Sequence, residues 1–247
     1  MAGIEFARAV LFTDRWTPPQ ALPGIELVPI PTLRSGADYS QFVVRVLPGH
    51  VHTSHVLISQ WDGFVLDAAA WTDEFLLYDY VGAVWPDMPA ELAVGNGGFS
   101  LRSQRFMAAG ADLPVTDIHP EDQVLCRTHR PLLERGHGVR FAPVALARRF
   151  AFENESPRGP VFGFHGPRNL PGVMTEAQLL DAVEQLPDEF FRSRDARRLA
   201  RAMLMHRMPT AARRLLQRRL AAGRRDPNTR LLGALAALQG LLQPKPR

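Results

Sequence analysis

One cysteine, Cys126, and one lysine, Lys245, stand among 247 residues. A single thiol excludes an internal disulfide and a thiolate metal cluster. No apolar run approaches the roughly 20 residues of a membrane span. Met1 to Val10 carries Glu5 and Arg8 and lacks the basic-then-apolar order of a secretory leader. The G-x-G-x-x-G dinucleotide fingerprint is missing, and so is the Gly-Lys-Ser/Thr of a P-loop. There is no groove-reading motif and no interleaving of basic with aromatic residues, which sets nucleic acid aside as a partner. These absences point to a cytoplasmic chain.

What is present is a globular composition, 46% hydrophobic, in a chain long enough for one large or two small domains. The net charge of +4 conceals an asymmetry. Between Arg192 and Arg230, thirteen arginines stand against Asp195 and Asp226, a net of +11, so the rest of the chain carries −7. Two readings stand: a solvated helix face in a chain that uses arginine, which also forms helices well, or a surface at 192–230 for a protein or an anionic membrane. The second would place the chain peripherally at the inner membrane.

Strands are expected at 7–12 and 25–30. A helix capped by Asp38 is expected over 39–47, then a strand at 55–60. The apolar run of that strand, closed by a turn signal, reads as a buried strand of a parallel sheet. Further on, the pattern predicts a short helix over 68–77, a strand over 78–85, a helix from Ser103, a helix carrying Val124 to Leu133, and strands at 139–146 and 161–166. From Thr175 leucine, alanine and arginine dominate, predicting helices from 175, over 195–207, 210–222 and 228–242, and a frayed tail at 243–247. Leu199, Ala200, Met203, Ala212 and Leu216 fall where a tetratricopeptide helix pair puts its packing residues. The expected division is an α/β domain at 1–172 and an arginine-rich helical appendage at 173–247.

Several stretches carry candidate chemistry. Gln60-Trp61-Asp62-Gly63 ends a strand, where open α/β folds bind ligands. Asp62 is a hard oxygen donor suited to Mg²⁺ or Mn²⁺, and the competing reading is an ordinary Asp-Gly turn. His50, His52 and His55 form H-x-H-x-x-H. They straddle a helix end and a strand start without a cysteine or acidic neighbour, so they read as structural. Asn96-Gly97-Gly98-Phe99-Ser100 implies a sharp turn or close ligand approach. Glu121 and Asp122 open a helix, as caps or as a general base. His165 sits beside Gly166 at a strand end, which suits a metal or phosphate contact.

Taken together, Gln60-Trp-Asp-Gly-Phe, Tyr78-Asp-Tyr-Val-Gly, Asn96-Gly-Gly-Phe-Ser-Leu-Arg, Pro120-Glu-Asp and Phe162-Gly-Phe-His-Gly resemble a bacterial family of glycosyltransferase-like domains, over about residues 5–166. More distantly the set is similar to metal-dependent GT-A glycosyltransferases. The resemblance implies an α/β fold with a GT-A-like mixed sheet flanked by helices. It implies a nucleotide-sugar donor, a divalent cation (Mn²⁺ or Mg²⁺) and a hydroxyl acceptor on a glycan, lipid or protein. Gln60-Trp61-Asp62 then stands at the D-x-D position, with Asp62 a metal ligand and Gln60 replacing an aspartate. Asn96, Gly97, Gly98, Phe99 and Ser100 line the sugar site. Asp122, or Glu121, is the catalytic base of an inverting hexosyl transfer, and His165 is the second metal ligand. The chain opens where the resemblance places the end of the first helix, so the first βα unit is expected to be missing. That absence, with Gln60, motivates the alternative of a non-catalytic remnant that binds a partner through its basic tail.

Overall fold

The computed structural model describes residues 3–14, 16–18 and 20–242, so the tail expected to fray lies outside the described residues. The chain forms two compact units, one ending at Phe164 and one beginning at His165.

In the first unit, strand β1 (Val10–Thr13) pairs in parallel with β2 (Glu26–Pro29). Helix α1 (Gly36–Gln41) runs on as a π-helical turn over Phe42–Val46 and a 3₁₀ turn over Leu47–His50. Its cap is Ser35, whose Oγ accepts the Asp38 N–H at 3.1 Å. Asp38 was the expected cap. It lies in the first turn instead, where its carboxylate accepts the Arg34 N–H at 2.7 Å.

Strands β3 (His55–Ser59), β4 (Tyr80–Gly82) and β5 (Phe99–Ser103) make an antiparallel sheet in the order β3-β5-β4. This corrects the reading of residues 55–60 as a buried strand of a parallel sheet. Four of the five β3 residues are half-buried and Ser59 is exposed, whereas every residue of β5 is buried. A short apolar run does not by itself tell an outer strand from a central one. Between β3 and β4 the chain makes two 3₁₀ turns, Ala68–Ala70 and Asp73–Leu77, in place of one helix.

Helix α2 (Gln104–Asp112) starts at once after β5, because Ser103 Oγ accepts the Phe106 N–H at 3.1 Å. Next come α3 (Glu121–Gln123), a π-helical turn over Val124–Thr128, and α4 (Arg130–His137), which ends on Gly138 at φ +64. Residues 139–146, expected as a strand, contribute only a bridge from Phe141 to Tyr80. Helix α5 (Val144–Phe150) begins after Pro143, whose fixed φ and missing N–H suit a helix start and not a central strand. The parallel pair β6 (Ala151–Phe152) and β7 (Gly163–Phe164) closes the unit. The chain is thus mixed α/β, and its described residues form three small sheets in place of one continuous sheet.

The period of two along β5 divides the core. Phe99 and Leu101 join Phe75, Val81, Phe150 and Phe162. The other face sends Ser100 and Arg102 toward Tyr80 and Phe106, members of a second cluster with Val44, Leu125 and Cys126.

The second unit is helical: α6 (Glu176–Gln185), α7 (Asp188–Arg192), α8 (Arg194–Met205), α9 (Pro209–Ala221) and α10 (Pro227–Leu242). Thr175 and Gln178 form a capping box at the start of α6. Helix α9 packs against α6, α8 and α10. Leu199, Ala200, Met203, Ala212 and Leu216 are all buried there.

Candidate functional site

The site is built around the loop between Val94 and Phe99. Gly82, paired with Ser100, faces this loop so closely that a Cβ on it would stand 2.0 Å from Gly95 O. Only glycine permits that approach. Asn96 takes φ +63, a left-handed conformation that asparagine tolerates. Tyr80 Oη donates to Asn96 O at 2.9 Å, and Asn96 Nδ2 donates to Glu153 Oε2 at 2.8 Å.

Arg102 anchors the loop from below. Its guanidinium is 2% exposed and donates to Glu121 Oε1 at 2.8 Å, Ser100 Oγ at 3.0 Å and Gly97 O at 3.3 Å. Burial works against the cation, but Tyr80 and Glu121 outweigh it and its pKa is raised. A Cβ on Gly97 would meet Glu121 Oε1 at 2.2 Å. Because that carboxylate is held by Arg102, it has no room to yield.

The two adjacent carboxylates are therefore unlike. Glu121 is buried and ion-paired. Asp122 is half-buried; its Oδ2 accepts the Gly97 N–H at 3.2 Å and its Oδ1 the Gln123 N–H at 2.8 Å. Burial, and then the charge of Glu121, raise the pKa of Asp122 above the usual carboxylate range, against the lowering effect of the two amides and Arg102. The Tyr39 phenol is raised likewise, first by burial and next by Glu121.

The turn after β3 meets the same loop. The Gln60 N–H donates to Gly98 O at 2.8 Å, the Gly63 N–H to Gln60 O at 3.2 Å, and Ser59 Oγ to Gly63 O at 2.6 Å. Asp62 is buried in this turn and Trp61 is 51% exposed. Three of the stretches singled out in the sequence thus converge: Gln60 to Asp62, Asn96 to Ser100, and Glu121 with Asp122. His165 opens the second unit, half-buried, with its carbonyl accepting from Asn169 Nδ2 at 2.7 Å.

Among the described residues, no group of three or more His, Cys, Asp or Glu side chains is arranged to hold a metal. The donor set fits only the open arrangement in which one or two protein ligands share Mg²⁺ with substrate phosphates. His55 is not part of such a group: its Nε2 lies 3.1 Å from Tyr78 O.

Sequence reasoning missed Arg102, Asp79 and Glu153. The signal for Arg102 was available, since a strand alternating Phe99, Leu101 against Ser100, Arg102 buries a cation that must find a carboxylate. Asp79 accepts from Ser103 Oγ at 2.6 Å and the Arg140 N–H at 2.8 Å, which ties the start of β4 to the end of β5.

A family model described as "Protein of unknown function (DUF5672)" matches residues 24–165, more than half of the chain. No curated protein and no solved structure matches.

Proposed function

The chain belongs to the DUF5672 family of proteins of unknown function, and on that premise we propose that it is a metal-dependent glycosyltransferase. It moves a sugar from a nucleotide-sugar to an acceptor hydroxyl, with inversion. The matched stretch spans Gln60 to His165, so it includes every residue invoked here.

The observation that carries the reading is the inequality of Glu121 and Asp122 beside one glycine-rich loop. Arg102 neutralises Glu121 and holds it in the core. Asp122 is left as the carboxylate able to exchange a proton, and its raised pKa moves it toward the working range of a general base. In the proposed step Asp122 takes the proton of the acceptor hydroxyl, the oxygen attacks the anomeric carbon, and the bond to the nucleoside diphosphate breaks on the opposite face. Asn96 to Ser100 is buried with its backbone groups bonded inside the fold, so its part in the proposed site is to hold Asp122 through the Gly97 N–H. Trp61 offers an exposed ring on which a sugar or base stacks. Asp62 would hold Mn²⁺ or Mg²⁺, sharing it with the donor's phosphates. When bound, that ion neutralises charge on the leaving diphosphate.

The test begins with a thermal-shift screen of uridine, guanosine and thymidine diphosphates and their sugars, with and without Mn²⁺, because a ligand of the folded state raises the melting temperature. Turnover follows with the donor so found. Asp122→Asn should lower kcat by about 10² to 10⁴, while Glu121→Gln melts lower yet keeps transfer. The rate should rise as pH increases through the raised Asp122 pKa, because the base must be ionised. Transfer lost in Glu121→Gln but intact in Asp122→Asn would reverse the assignment, and the absence of any metal-dependent shift would remove the donor site.

A further inference from the structure

Helix α10 exposes a face that carries no charge. From Leu231 to Leu242 there is no ionisable side chain. Thr229 and Ala236 are buried, and Gln239 Nε2 donates to Leu204 O at 3.0 Å, which turns that side of the helix toward the bundle. At 3.6 residues per turn, Leu231, Leu235, Leu238 and Leu242 form one stripe opposite it. Their exposures run from 44% to 76%, and Leu241 beside them reaches 82%. Met205, next to the Leu204 contact, is 74% exposed. Single exposed leucines need no explanation, but a contiguous apolar face marks an interaction surface.

Charge decides the occupant. Residues 165–242 carry fourteen arginines against seven acidic residues, a net of +7. The acidic groups are largely engaged: Glu184 by Arg214 and Arg218, Asp195 by Arg198, Asp226 by Arg219. Arg194, Arg201, Arg213, Arg225 and Arg230 are exposed. Two copies of so basic a unit repel each other, whereas an anionic surface complements it. We propose that α10 docks this unit on an anionic lipid bilayer. The leucine stripe enters the boundary between headgroups and acyl chains, and the arginines meet the headgroups. With 16 residues, α10 is shorter than the ~20 of a span, so it lies in the interface plane.

The full chain is sedimented with vesicles of phosphatidylglycerol and phosphatidylcholine, and separately with phosphatidylcholine alone. We expect binding at least about tenfold tighter to the anionic vesicles, weakening as salt rises. The double variant Leu238→Gln/Leu242→Gln should lose about tenfold in binding. Its melting temperature and circular dichroism should be unchanged, because both side chains are exposed. An indole placed by Leu241→Trp should shift its emission to the blue on anionic vesicles. The proposal is overturned by equal affinity for both vesicle types, or by binding that survives the leucine substitutions. A dimer in solution that those substitutions convert to monomer would also overturn it and assign the face to a second copy.

Discussion

The first unit buries Arg102 and Arg130 and the second buries Arg219, and the two most enclosed of these, Arg102 and Arg219, are held in different ways. Arg102 in the first unit faces Glu121 across 2.8 Å, both side chains nearly inaccessible. Arg219 in the second unit is 4% exposed, but its closest partners are neutral: the Phe191 and Ser193 carbonyls, both at 2.7 Å, and Thr229 Oγ1 at 2.9 Å. Its acidic partner, Asp226, lies at 3.5 Å and is one-third exposed. The pKa consequences are opposite. Burial lowers that of Arg219, whereas Tyr80 and Glu121 keep that of Arg102 raised despite burial. Arg219 is a staple that satisfies chain ends around α7, α8 and α10. Arg102 is half of a charge pair, and its other half abuts the candidate base. A buried charge pair is weak evidence for stability but stakes much on keeping both partners.

That contrast is broken or sharpened most directly by Arg102→Met. It strands Glu121 in the core and should cost about 3–5 kcal/mol in chemical denaturation. A loss under about 1 kcal/mol would mean that Glu121 is relieved by another partner, and the pair would not define the site. Arg219→Met should cost less, about 1–3 kcal/mol, because two carbonyls lose donors while Asp226 remains hydrated. An equal or larger loss at Arg219 would erase the distinction.

The pair also reaches Asp122 through Glu121, which makes a pH dependence that Arg219 does not share. The Asp122 carboxyl is raised in the fold, so between the unfolded pKa, about 3.9, and the folded one, the native state holds a proton that the unfolded chain has released. Its stabilising contribution is therefore complete below the unfolded pKa and is lost as pH rises through the folded pKa. The stability of the wild type relative to Asp122→Asn should grow as pH falls through that window. A difference independent of pH would show Asp122 to be an ordinary surface carboxylate.

Much of the fold is legible from residue pattern alone, for physical reasons that vary along the chain. The long helices of the second unit are set by leucine and alanine at helical spacing and by caps such as Thr175, all local signals. Residues 26–29 read as a strand because their run is short and bounded by turns, whereas residues 99–103, the central strand, read only as the end of a glycine-rich turn. The pairing of 55–59 was not legible, since antiparallel addition to 99–103 is a long-range choice that periodicity does not encode. Residues 139–146 were misread because Val139, Phe141 and Val144 suit a strand until Pro143 is weighed. In the site, Asp122 and Gly97 were legible as residue types. What they do to each other depends on Arg102, whose reach across 19 positions to Glu121 only the fold reveals.

The smallest effect completes the comparison at the surface. Arg214 meets Glu184 through both Nε and Nη2, the latter at 2.7 Å, and each side chain is more than two-fifths exposed. Arg218 reaches the same carboxylate at 3.7 Å and takes over part of the pairing if Arg214 is removed. Arg214→Ala should therefore cost no more than about 1 kcal/mol at low salt and nothing measurable near 1 M salt, where screening falls within about 3 Å. The loss in Arg102→Met should persist at that salt, because water and ions do not reach a pair whose side chains are only 2% and 6% exposed. If salt removed both losses alike, the interior of the first unit would be open to solvent. The raised pKa of Asp122, which burial causes first, would then lose its basis.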